Sequence, residues 1–127
     1  MLKEIVIIII VLALVISLDV ITNNYTTYAV DSFSEQLVEL REFLLKEDKD
    51  NITKKIQKID NDWKKHNRKL AYYMEHDELE KVGSSLSALK AHIEVEEYND
   101  ALEKLDSNIF ILQHIEEKEK FSVESLF

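Results

Sequence analysis

His76, Glu80 and His114 are the residues of this chain best suited to chemistry. His76 sits in Glu75-His76-Asp77-Glu78, Glu80 follows one helical turn later, and His114 opens His114-Ile115-Glu116-Glu117. Imidazole together with carboxylate suits zinc or iron. Di-iron bundles carry Glu-x-x-His on separate helices. Here the order His114-x-x-Glu117 is reversed and Glu-x-x-His does not occur. The three residues are therefore candidates for a metal-binding or hydrolytic helical domain. The plainer reading has His76 and His114 hydrogen bonded to helix ends or carboxylates. No other cofactor is implied.

His66 is a different case. It stands on an apolar seam beside Trp63 and Leu70, a polar core position that can fix helix register or titrate near neutrality. Nucleophilic catalysis finds little support. The chain has no Cys and one Gly, so thiolate chemistry, Gly-x-Ser-x-Gly and a Gly-rich phosphate loop are all excluded. The net charge of −9 disfavours nucleic-acid backbones and the anionic face of a bilayer. Within that acidic chain one stretch is basic: Lys54, Lys55, Lys58, Lys64, Lys65, Arg68 and Lys69. It reads either as a patch for lipid headgroups or wall polyanions, or as a face turned to Glu94–Glu97 and Glu116–Glu119. The second is the expectation.

The elements that position these residues are helices. One Gly and no Pro leave little for strands or tight turns, and 46% hydrophobic residues suffice for a packed core. A capping box, Ser32-x-x-Glu35, opens a helix carrying Phe33, Leu37, Leu40, Phe43 and Leu44 and ending near Lys46. Asp50 or Asn51 caps the next, whose seam Ile52, Ile56, Ile59, Trp63, His66, Leu70, Tyr73 alternates steps of four and three. Asp77 with Glu80 caps a third, with Leu79, Val82, Leu86, Leu89 and Ile93. The fourth carries Tyr98, Leu102, Leu105, Ile109, Leu112 and Ile115. Links at 47–51, 75–78 and 95–99 are short, which makes consecutive helices antiparallel neighbours. Phe121, Val123, Leu126 and Phe127 are expected to pack back on the bundle.

Before all this lies Ile5–Ile16, an unbroken apolar run extended to Ile21 around Asp19. That is about 25 Å of helix, against a hydrocarbon core of roughly 30 Å. It is apolar all round, unlike a core helix of a soluble protein. A cleaved signal peptide is the rival, with a weak small-x-small site at Thr27-Tyr28-Ala29. Tyr25 and Tyr28, where interfacial aromatics sit, favour an uncleaved anchor. Lys3 precedes the run and no Lys or Arg follows until Arg41, which places the N-terminus in the cytoplasm and the rest outside. The expected organisation is all-α: a transmembrane signal anchor over 1–22, a linker over 23–31, and an extracytoplasmic up-and-down bundle of about four helices with a C-terminal tail over 32–127. The segment Asn23–Thr27 reads as loop or as continuing helix.

Trp63-x-x-His66 through Leu70 and Tyr73, His76-Asp77-Glu78-Leu79, the Leu86 and Leu89 pair, Leu112-Gln113-His114-Ile115 with Glu119, and a terminal Phe127 resemble domain of unknown function 4363, short proteins of clostridia and relatives. An Asn is usual in that family where this chain has Ser125. The resemblance implies a cell-envelope protein and brings no activity. The functional expectation is a non-enzymatic, membrane-anchored helical module that binds an envelope protein or itself.

Overall fold

The computed structural model describes residues 1–126, with side chains described through Lys118. Four helices account for it: α1 (Leu2–Leu45), α2 (Lys49–Leu70), α3 (His76–Glu94) and α4 (Tyr98–Leu126). They form an antiparallel bundle in which α1 packs on α2 and α4, and α3 on α2 and α4. The diagonal pairs stay apart, so the helices stand at the corners of a square. The α2–α3 side is its most open edge.

α1 differs from the expectation in one respect. The linker over 23–31 does not exist, because the apolar run and the first bundle helix are one 44-residue helix. Of the two readings of Asn23–Thr27, continuing helix is correct. From Leu2 to Ile21 the large apolar side chains are exposed; from Thr26 onward Ala29, Val30, Phe33, Leu37, Leu40 and Leu44 are buried. Ser32 and Glu35 lie inside a running helix and cap nothing. Thr22 and Thr26 satisfy their hydroxyls on carbonyls three and four residues back, so polar side chains cost the helix little here.

The links contain no Gly. α1 ends at Lys46, with Glu47 at φ 54°. The Asp48 N–H donates to the Phe43 carbonyl at 3.1 Å and the Glu47 N–H to the Leu44 carbonyl at 3.1 Å. α3 ends the same way, with Glu96 at φ 60° and the Glu97 N–H on the His92 carbonyl at 2.9 Å. Both are Schellman closures with Glu in the left-handed position that usually falls to Gly or Asn. Asp48, not Asp50 or Asn51, caps α2: its carboxylate accepts from the Asn51 N–H at 3.4 Å and from Asn51 Nδ2 at 2.7 Å. α3 begins at His76 without a side-chain cap, so Asp77 and Glu80 lie within its first two turns.

The core is built from the 4–3 seams. All five α3 positions named from sequence are buried, as are Ile52, Ile56, Ile59, Trp63 and Leu70 of α2, and Phe33 meets Trp63 edge-on at 5.5 Å between centroids. The α4 seam is shifted: Ala101, Leu105, Asn108, Leu112 and Ile115 face inward, while Tyr98, Leu102 and Ile109 are only partly covered. Asn108 is fully buried and neither amide atom has a hydrogen-bond partner among the described residues. The expected packing of Phe121, Val123, Leu126 and Phe127 lies outside the described side chains.

The single glycine, Gly83, is in mid-α3, and a Cβ there would meet only Trp63 Nε1, at an ordinary 3.7 Å. Gly83→Ala is therefore expected to stabilise the protein by about 0.5–1 kcal/mol. Glu47→Gly, which relieves a left-handed non-glycine, is expected to stabilise it by about 1 kcal/mol. Thermal unfolding of the full chain in detergent checks both, and a lowered Tm for either contradicts the geometry.

Candidate functional site

The most connected polar cluster lies where α1 leaves its exposed apolar stretch. Tyr25 OH is 2.8 Å from His66 Nδ1. Tyr73 OH is 2.6 Å from Thr26 Oγ1 and donates to the Thr22 carbonyl at 3.1 Å. The Tyr28 ring meets His66 edge-on at 6.1 Å, and Lys69 Nζ stands 5.5 Å from the Tyr25 ring centroid. These contacts tie the last turn of α2 and the α2–α3 link to the second turn beyond Ile21. Beside the cluster a notch of about 380 Å³ opens between α1 and α2, walled by Tyr25, Tyr28, Ser32, Gln36, Lys58, Asp62, Lys65, His66 and Lys69. Gln36 Nε2 donates to Asp62 at 3.1 Å, while its buried Oε1 has no partner among the described residues.

His66 thus sits half-buried, with its ring nitrogen engaged by a residue 41 positions away. Burial pushes its pKa below the ordinary imidazole value, and Lys69 and Lys65 push the same way against the opposing Asp62. The same burial, with the neighbouring Tyr28, raises the Tyr25 phenol.

The open α2–α3 edge forms a second feature. Two depressions of about 510 and 500 Å³ lie along it and share Asp60 and Lys64. Ile52, Ile56, Ile93, Trp63, Leu79 and Leu86 contribute apolar walls. Asp60 crosses the groove, taking Lys90 at 3.0 Å and Lys64 at 3.1 Å. Burial opposes the ionisation of Asp60, but the two ammonium groups outweigh it and its pKa falls below the usual carboxylate range. Ser87 and Lys90 have the Ser-x-x-Lys spacing of some nucleophilic serines. Lys90 is bonded to Asp60 rather than to Ser87.

The sequence-derived metal candidates are not gathered. His76 and Glu80 approach to 4.0 Å on an exposed surface, and His114, exposed on α4, completes no three-ligand group with them among the described residues. Instead His92, Glu97 and Asp100 converge at the α3–α4 link, with ligand atoms within 4.8 Å of one another. His92 Nδ1 lies 3.0 Å from Glu97 Oε2. That bond joins the two helices across the Schellman turn and satisfies the imidazole.

The basic residues of α2 are also placed differently. Among the described residues none of that basic stretch pairs with the Glu94–Glu97 group; Lys49, which precedes it, pairs with Glu96. Lys55 pairs with Glu39, Lys58 with Asp62 at 3.9 Å, and Lys64 with Asp60. Most of the partners lie on α2 itself or on α1, because antiparallel packing sets α2 beside α1 along its whole length.

A family model, domain of unknown function 4363, matches residues 20–126. The chain belongs to this family. The DUF4363 match starts at Val20, so it takes in the turns of α1 that follow the exposed apolar stretch and the bundle through Leu126, and leaves the first 19 residues outside. No curated protein and no solved structure is detectably similar to the chain.

Because the folded pKa of His66 is depressed, the unfolded chain binds the extra proton below the ordinary imidazole pKa of about 6.5. Stability is expected to be complete above that pH and to fall on acidification through the folded-state value. His66→Gln, which retains an acceptor for Tyr25, is expected to flatten that decline. Denaturant unfolding of both chains between pH 5 and 8 checks it, and superimposable profiles would remove His66 as the cause.

Proposed function

We propose that the protein is a non-enzymatic, membrane-anchored module whose bundle stands outside the cytoplasmic membrane and makes contacts with another envelope protein or with itself. The continuity of α1 carries this reading. The same helix is fully exposed and apolar from Leu2 to Ile21 and contributes to the bundle core from Thr26 to Leu44. An exposed apolar surface of that length is costly in water and is suited to a bilayer. Cleavage after Ala29 would strip Thr26 and Ala29 from the core and remove the Tyr25–His66 bond, which favours an uncleaved anchor over a signal peptide. Lys3 before the apolar stretch, with no further basic residue until Arg41, favours an external bundle. The α2–α3 groove, with its apolar walls and charged rim, suits a helix laid alongside it.

Topology is the deciding measurement. A C-terminally tagged chain is expected to remain in the membrane fraction at full mass and to lose its tag when intact protoplasts are treated with protease. Release into the medium, about 29 residues shorter as the Ala29 site requires, would mean secretion. Complete protection would place the bundle inside. For the contact role, a photo-crosslinking residue at Ser84 in the groove is expected to give a discrete adduct in cells, at twice the mass for self-association. Recovery of monomer alone would remove that role.

A further inference from the structure

The fold divides the basic face of α2 into two parts. Toward the far end Lys49, Lys55, Lys58 and Lys64 are matched with acids, and Lys54 alone has no ion pair among the described residues. Toward the other end Lys65, Arg68 and Lys69 have no ion pair among the described residues, in a chain of net charge −9. The Tyr25–His66 and Thr26–Tyr73 contacts, at 2.8 and 2.6 Å, fix where that end lies. It is level with the turns that follow Ile21. At 1.5 Å per residue Tyr25 is about 6 Å and Tyr28 about 10 Å beyond Ile21. A bilayer's polar layer is about 5–7 Å deep on each side of its hydrocarbon. The lysine stems can reach further down toward it.

Aromatics collect at the same level. Tyr25 and Tyr28 come from α1, and Tyr72, 91% exposed, and Tyr73 from the α2–α3 link. Four of the five tyrosines therefore ring this end of the bundle, the position of an interfacial belt. Acids are present at that end too: Asp19 and Asp31 on α1, and Glu75 and Glu78, which Lys118 occupies. Asp62 is the one carboxylate in the notch itself, and it is held by Gln36 and Lys58.

We propose that the notch between α1 and α2 is a headgroup site for an anionic phospholipid of the adjacent leaflet. Lys65 and Lys69 supply the charge for its phosphate, and the Tyr25 and Tyr28 rings wall the notch beside it. This rests on the anchored reading above. The site seats one edge of the bundle on the membrane rather than leaving it free above it.

The test uses the full chain in nanodiscs of phosphatidylcholine, of phosphatidylcholine with phosphatidylglycerol, and of phosphatidylcholine with added inorganic phosphate. Amide exchange over residues 64–73 is expected to slow by on the order of tenfold in the phosphatidylglycerol discs only. Lys65→Gln with Lys69→Gln, both exposed, is expected to abolish the slowing while protection of α3 stays unchanged, which shows that the bundle remains folded. Equal exchange in all three discs overturns the proposal, as does slowing that survives in the double variant. Slowing by inorganic phosphate in neutral discs would identify a free-anion site and overturn the lipid assignment. A chain that elutes apart from the discs would instead defeat the anchored reading, before any lipid comparison, and the headgroup site with it.

Discussion

The unbroken hydrogen-bond ladder of α1 is the constraint on which the other features depend. A backbone leaving a bilayer must keep its amides and carbonyls paired until water or protein can take them over. Under the anchored reading proposed above, this chain would meet that demand by never interrupting the helix. Thr22 and Thr26 return their hydroxyls to the ladder, and Tyr73 from the α2–α3 link covers them. The register of the bundle relative to the apolar stretch follows directly. The levels of α2 and α4 are set by which turns of α1 they pack against, and α3 takes its level from those two helices.

The sequence was most legible where a helix is buried on one face. The α3 seam could be read in full because Leu79, Val82, Leu86, Leu89 and Ile93 are all apolar and all needed inside. Legibility failed where polar residues do core work. Asn23–Thr27 looked like a boundary because threonine and asparagine favour turns, yet here they lie between a membrane-type surface and a packed one. Ser32 and Glu35 have the spacing of a cap, but a cap needs a helix start, and the helix had begun some thirty residues earlier. In α4, selecting apolar residues passed over Asn108, although Ala101, Leu105, Asn108, Leu112, Ile115 keeps the 4–3 spacing.

The polar positions differ in their accounts. The Tyr25–His66 and Thr26–Tyr73 pairs join residues more than 40 positions apart, and no local pattern announces them. His66 was visible as an odd member of an apolar seam, but its partner was not. Asn108 has no hydrogen-bond partner among the described residues. A buried unpartnered amide lowers stability by about 1–3 kcal/mol, and in helical assemblies such a residue is retained for choosing one register over others. Its place in the middle of α4 suits that role.

The short apolar stretch also bears on how the α2–α3 groove meets its surroundings. Under the anchored reading proposed above, a span of about 25 Å in roughly 30 Å of hydrocarbon would have no surplus length to absorb by tilting. Because α1 is continuous, an upright anchor makes an upright bundle, and the groove along α2 and α3 then opens sideways, parallel to the membrane plane. A partner embedded in the same bilayer would then meet it by lateral diffusion, a search confined to two dimensions. Co-tethered partners of this kind experience effective concentrations that reach the millimolar range. A groove too weak to hold a free helix in solution would be occupied under those conditions.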